Sequence, residues 1–464
     1  MISNYQNPSS QTVVAFMLCI LIGLLWKFVP HPAVAIAIAL LPIAALITIK
    51  QPFLMVLLFV VFSFFRIHEV FPQLYNLKIP LLLSIASLGA LIWHVGITGT
   101  IKTYWRKELT VVSLFFVLVL LGIFVASNRP VALEYFKGIY WKIIVMTFAI
   151  AWLSRTASDF NLTSKLITFF GVLVGLVALY NSANGIGLVE GSRVTIGRAI
   201  GSMLGDPNDL ALVLMFPVAF ATSFVMTNRL GRATKVFGLV AVVVLFSAVV
   251  ATQSRGGLLG IMMIFGVYGY RRIKSKTLFF SIGIIAAIAL FVLAGISDRA
   301  SGGAAEVGID ESAMGRLYAW EAAFGMALDN PLTGVGINNF FSNYFAYSPH
   351  WDGLNHAVHS TWFGVLAETG ILGLIIFLTF TVMLVKTSIR SLHRIEQNLN
   401  QVDPTIHATA QAVLAGLLGT AVSATFLTQG FTWPIYILLA LVVAVAQWVD
   451  SHLPPILKTN LARD

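Results

Sequence analysis

Cysteine is almost missing from this 464-residue chain, Cys19 being the only one. No disulfide can form within the chain, and no thiolate metal site can be assembled. Charge is scarce too, at 10% of residues where a soluble domain carries about a quarter. The scarcer sign is negative, with 19 Asp and Glu against 29 Lys and Arg. No usable repeat or low-complexity tract is evident, and no phosphate-binding loop, dinucleotide fingerprint or GxSxG elbow occurs in a fitting context. No two outward carboxylates have a structural reason to pair as a glycosidase would need. These shortages exclude a soluble globular enzyme and a disulfide-stapled domain. The net charge of +10 does not point to nucleic acid, because the basic residues gather in short loops without an aromatic-interleaved stripe.

What is abundant is apolar sequence: 58% hydrophobic residues and a mean hydropathy of +0.88. Runs close to the ~20 residues that cross ~30 Å of hydrocarbon recur from end to end. They predict an all-α, polytopic membrane bundle. Spans are expected near 12–29, 31–49, 52–65, 79–97, 110–127, 138–154, 163–180, 207–226, 234–252, 256–271, 277–296, 360–385, 408–428 and 431–448. That is about fourteen, or about twelve if the short third span and the sixth drop out. Arg129 to Lys142, before the sixth, reads as an amphipathic interfacial approach, with Lys142 at a span edge. The first run lacks a basic n-region and a cleavage site and is expected to be retained. Four regions follow: an N-terminal transmembrane bundle (1–180), a transmembrane region with Arg-bearing outward loops (181–296), a larger outer loop domain (297–359), and C-terminal spans with a tail (360–464).

Loop charge sets the expected sidedness. Loops after even-numbered spans, with the tail, hold 18 of the 29 basic residues, and RLGRATK and YRRIKSK dominate. Both termini are therefore expected in the cytoplasm. Three arginines then fall on the unfavoured outer side: Arg193 and Arg198 in GSRVTIGRAIGSMLGDPNDLAL, and Arg255 in TQSRGGLLG. Each could be a snorkelling or interfacial arginine. The guanidinium fork also suits a phosphate, and a charge held at membrane depth usually lines a polar site. Asn208 or Asp209 can cap the helix of the next span, and Asp206 precedes them. Gly256 and Gly257 allow close backbone or ligand approach.

Two further constellations lie outward. In NHAVHSTWFGVLAETG, His356 and His359 stand three residues apart, so one helical turn would share a face. A metal pair lacks partners at recognisable spacing; a general base fits neutral imidazole better. Glu368, inside the following span, is a functional candidate by its position. In GRLYAW, Arg316 opens an amphipathic helix and could meet substrate or a carboxylate such as Glu321.

The order DPN, TQSRGG, GRLYAW with NP and GVG, then VHSTWFGVLAETG, resembles the O-antigen ligase/polymerase superfamily over roughly residues 185–385. The resemblance implies a GT-C-like helical fold in the bacterial inner membrane, with the active site on the periplasmic side. It implies a metal-independent, inverting glycosyltransferase without a cofactor. The donor would be an undecaprenyl-diphosphate-linked glycan and the acceptor a lipid A core, a protein or another glycan. Arg198 and Arg255 match the diphosphate-holding arginines, with Arg193 a rival, and His359 matches the acceptor histidine, with His356 a rival. A polymerase shares this donor. A transporter of lipid-linked oligosaccharide would also want outward arginines, but should carry polar residues through the midplane, where these spans are mostly uninterrupted apolar runs.

Overall fold

The computed structural model describes residues 42–293 and 311–454, with Met17, Cys19, Ile20 and Gly23. The expected span 12–29, most of 31–49 and the first part of the loop domain lie outside the described residues. Everything regular among the described residues is helical, and the only β pairing there is an isolated bridge between Val189 and Arg193. Among the described residues, nine helices are long and apolar enough to cross a membrane, or ten if one bent pair counts as a span.

That pair is α1 (Pro42–Lys50) and α2 (Pro52–Phe65), bent by 100°. Pro52 cannot donate to the preceding turn, so it starts a new helix rather than extending the old one. The expected spans 31–49 and 52–65 are thus joined by a sharp break, and α2 is largely buried. After a short helix at Ile67–Val70 come α3 (Gln73–Ile97), α4 (Lys107–Val125), α5 (Arg129–Leu153) and α6 (Ala157–Ala183). The interfacial approach expected before span six is instead the first half of one helix. Asn128 caps it, Pro130 opens it, and a π-turn at Phe136–Tyr140 absorbs the irregular step. Lys142 therefore sits well inside α5, not at a span edge.

Next come α7 (Pro207–Met226), α8 (Arg232–Thr252), α9 (Arg255–Arg272) and α10 (Lys276–Leu293). The outer domain holds α11 (Glu311–Asp329) and α12 (Phe340–Tyr347). The chain then continues through α13 (Thr361–Gln397), α14 (Pro404–Ser423) and α15 (Trp433–His452). Helix α13 runs past the expected end at 385 because its last turns are amphipathic: Thr387, Ser388, Ser391, Leu392, Arg394 and Ile395 are buried. A hydropathy window does not register such a stretch. One continuous apolar core runs from Phe53 to Val443, with α7 and α15 buried nearly all round. The outer domain has its own small core of Ala319, Ala323, Met326, Phe340, Tyr344 and Val358.

The outer domain is docked by backbone. Gly370 has φ 71 and ψ −174, a conformation outside the helical region, and so opens the ladder of α13. A Cβ there would lie 2.5 Å from the Pro331 carbonyl oxygen. Val335 N donates to Ala367 O at 2.8 Å, Gly336 N to Glu368 O at 3.2 Å, and Leu372 N to Pro331 O at 3.3 Å. The glycines of ETG and GVG are therefore joints between two segments, and they fix the outer domain over one end of the bundle. Loops 126–128, 184–206, 253–254 and 424–432 meet at this same end.

Candidate active site

The loop 184–206 folds back at Val189 and Arg193, with Glu190 and Gly191 in the left-handed region at φ 54 and 73. This turn carries the Arg193 side chain inward, where it is buried. Its Nε donates to Thr252 O at 3.2 Å, its Nη2 to Asn208 Oδ1 at 3.1 Å, and its Nη1 lies 3.7 Å from Glu190. Asn208 Oδ1 also accepts from Ser254 Oγ at 2.9 Å. Ser254 caps α9, accepting from Gly257 N at 3.4 Å. One amide oxygen thus clamps the start of α7, the 184–206 loop and the start of α9. Arg193 braces this junction.

Arg255 is the first residue of α9 and half-buried, and Gln253 before it turns the chain at φ 51. The two glycines after it serve packing. A Cβ on Gly257 would lie 2.7 Å from Ala211 Cβ on α7, and one on Gly256 would lie 3.2 Å from Phe426 Cβ. Arg198 is exposed, in a single 3-10 turn between Gly197 and Gly201, both left-handed. Its Nη1 donates to Gly205 O at 3.4 Å. The cap of α7 is Asp206, not Asn208 or Asp209: its carboxylate accepts from Asn208 N at 2.7 Å and Asp209 N at 3.2 Å. Pro207 supplies the first helical residue without an N–H to satisfy, so the cap falls two places before Asn208.

The histidines do not share a helical face, because residues 351–360 are not helical. His359 stands alone at φ 45, a conformation that costs an L-residue about 1–2 kcal/mol. It is held from both sides. Val358 O accepts from Trp320 Nε1 at 3.1 Å. Ser360 caps α13, and Thr361 is pinned to Ala424 O and Leu427 O at 2.8 and 2.7 Å. Such over-determined strain is characteristic of functional positions. Burial is the main reason the imidazole of His359 is pushed below its ordinary range, Arg316 adding to it; Asp206 opposes, and His356 and Arg193 act with Arg316. The ring is therefore neutral at physiological pH and lies within the field of both Arg-bearing regions.

Arg316 lies in the second turn of α11, which begins at Glu311, five residues before the expected start. Its guanidinium carbon is 5.9 Å from the Phe426 ring centroid. Glu321 faces His350 at 3.7 Å. His356 Nε2 is 3.0 and 3.1 Å from the two carboxylate oxygens of Asp352. Glu368 accepts from Asn338 N at 2.9 Å and Phe340 N at 3.3 Å, which makes it a tie at the start of α12.

Three features escaped the sequence reading. Phe426, in the 424–432 loop, joins the Arg316 side of the site to the α9 N-terminus. Glu69 is buried, paired with Arg66, and accepts from Ser202 Oγ, so the first half of the chain holds the Arg198 loop. A cavity of about 310 Å³ opens between α2, α3, α5, α7 and α15. Its walls are largely apolar (Phe59, Leu81, Ile139, Leu212), with Arg66, Met203 and Asp209 toward the site and Lys142 in the α5 wall.

No curated protein matches the chain. Residues 240–378 match the family model described as O-Antigen ligase. That match, over about a third of the chain, supports the O-antigen ligase/polymerase superfamily. The match supports a ligase- or polymerase-like part in glycan assembly for this multi-pass membrane protein. The matched stretch takes in Arg255, Arg316, His356, His359 and Glu368. The braces from outside it, Arg193 and Asn208, lock onto its α8–α9 turn through Thr252 and Ser254.

Proposed function

We propose that the protein transfers a glycan from an undecaprenyl-diphosphate-linked donor to an acceptor hydroxyl, on the periplasmic face of the bacterial inner membrane and without a metal. The acceptor is a lipid A core, a protein or another glycan. The observation that carries this reading is the junction at Asn208: two arginine-bearing segments are clamped together at the end of the bundle where a strained, neutral histidine stands. Arg198 and Arg255 hold the diphosphate, while Arg193 holds them. His359 takes the acceptor proton as its oxygen attacks the anomeric carbon. The bond from that carbon to the diphosphate breaks, and the arginines stabilise the charge that develops on the leaving group. The isoprenoid tail fits the apolar cavity beside Asp209.

The test is a purified protein in nanodiscs with lipid-linked donor and acceptor. Release of undecaprenyl diphosphate coupled to glycan joining, insensitive to chelator, is expected. Transbilayer movement of intact donor without release would make the protein a transporter, and inhibition by chelator would refute the metal-free chemistry. Orientation is read by cysteine labelling in a Cys19→Ala background. Leu354→Cys should react with an impermeant maleimide in spheroplasts and Ser275→Cys should not. In a deletion strain, accumulated lipid-linked polymer marks a ligase, whereas accumulated single repeat units mark a polymerase.

A further inference from the structure

The outer domain carries an aromatic corner that the transfer chemistry leaves unused. Helix α12 is apolar on both sides. Phe340 and Tyr344 enter the domain core, while Phe341 and Phe345 are left outward at 57% and 56% exposure. Trp351, 51% exposed, comes up beside Phe345, with ring centroids 6.3 Å apart and planes at 61°. Directly after Trp351, Asp352 accepts from Leu354 N at 3.0 Å and faces His356 Nε2 with both oxygens. The Leu354 N–H, and then the His356 contact, hold the Asp352 carboxyl below the usual carboxylate range, so it is an acceptor-only group. The far side of the His356 ring meets Tyr344 edge-to-face at 5.3 Å. Three residues on stands His359.

Exposed π-faces beside an oriented carboxylate and imidazole match one chemistry closely. A pyranose ring has an apolar C–H face, which suits the negative face of an aromatic ring, and a hydroxyl edge, which suits a carboxylate. An anchor in the lipid interface would not place an ionised carboxylate next to its aromatics, facing anionic headgroups. We propose that Trp351, Phe345, Asp352 and His356 form a saccharide subsite that seats the acceptor sugar. The two rings take its C–H face, and Asp352 with His356 take its hydroxyls. This rests on the reading of His359 as the acceptor base, because the subsite adjoins that residue and not the diphosphate arginines. It makes the acceptor a glycan rather than a protein hydroxyl.

The test uses the full chain in nanodiscs. One probe is the oligosaccharide freed by mild acid from the lipopolysaccharide of the cells that carry this protein; the other is undecaprenyl diphosphate. Oligosaccharide binding is followed by saturation-transfer NMR. Trp351→Ala should weaken it about tenfold or more, Trp351→Phe should restore most of it, and Asp352→Asn should weaken it less. Undecaprenyl diphosphate should bind all three variants as it binds the wild type, which also shows that they are folded. Unchanged oligosaccharide binding by a Trp351→Ala/Phe345→Ala double variant would overturn the subsite. So would quenching of Trp351 by brominated lipids, which would mark the corner as a bilayer contact. Wild-type protein that binds the oligosaccharide but joins nothing to it would sink the proposed transfer and leave the subsite standing.

Discussion

The two ends of the bundle use arginine in different ways. At the end away from the site, Arg106 and Arg394 both reach Asp450, and Arg271 reaches Glu396. Arg394 also donates to the carbonyls of Leu453 and Pro454 at 2.7 and 3.1 Å, tying α13 to the end of α15. There the positive charge is given to carboxylates that hold helices together. At the site end, Arg193 reaches a carbonyl, an amide and Glu190, Arg198 reaches a carbonyl, and Arg316 lies over a phenyl ring. Carboxylates are present at this end too, Glu190 beside Arg193 and Glu69 paired with Arg66, but carbonyls, an amide and a ring supply much of the orientation. Under the proposed function, the same residue type is mortar at one end and an anion receptor at the other.

That contrast can be broken by substitution. His359→Ala should lower transfer by ~10²–10⁴ while undecaprenyl diphosphate still binds, because the arginines remain. Arg255→Lys should lose ~10²–10³, since a point charge cannot reproduce the planar fork. Arg394→Met should do the reverse. Losing one partner of a fully buried pair costs about 3–5 kcal/mol, and less is expected here because Asp450 is half exposed. Thermal unfolding should come earlier while turnover per folded molecule holds. If Arg394→Met abolished transfer in stable protein, or Arg255→Lys only lowered stability, the division between the ends would fail.

The next effect is smaller and tests how the outer domain is held. Gly370→Ala must place a side chain in a backbone region that is essentially glycine-only, at a cost of about 1–3 kcal/mol, and must also clear the Pro331 carbonyl. Transfer should fall about tenfold, as that cost implies, with binding of the diphosphate kept. Gly283→Ala in α10 meets nothing within 4 Å and should be neutral or slightly stabilising. Equal behaviour of the two variants would mean that the joint does not position His359.

Much of this division was legible in the sequence. Charged loops and apolar runs located the helix pairs, and Arg193, Arg198, Arg255 and His359 were picked out because a charge or imidazole at a span edge needs a reason. The bracing role of Arg193 was not legible. Its partners are a carbonyl 59 residues away and an amide 15 away, and a carbonyl carries no side-chain signature. The ETG and GVG glycines read as turn signals, yet they work as a joint between segments that only the fold brings together. Glu368 looked functional because it is ionisable and lies in a span; backbone amides of the outer domain account for it. Glu69 lay in a half of the chain with no motif, where only its contact with Ser202 reveals a link to the site. The histidine pair was assigned helical geometry by spacing alone. A left-handed residue at His359 broke that inference, and spacing cannot announce a left-handed residue.

The smallest effect separates the field at His359 from the chemistry around it. The base must be neutral, and burial with Arg316 holds its pKa below the ordinary ~6.5. The acid limb of kcat/KM should therefore lie below that of an unperturbed histidine, and activity should persist into mildly acidic buffer before it falls. Arg316→Gln removes a positive neighbour, so the pKa rises and the limb moves to higher pH. Asp206→Asn removes a negative neighbour, so the pKa falls and the limb moves to lower pH. Asn caps a helix about as well as Asp, so this second variant should leave α7 in place. Near pH 8 both should approach wild-type rates, unless Arg316 also touches substrate, which would lower its plateau without reversing the shift. Opposite displacements are the signature of one imidazole poised between Arg316 and Asp206. If both limbs moved the same way, or if neither moved, another group would be titrating and His359 would not be the base.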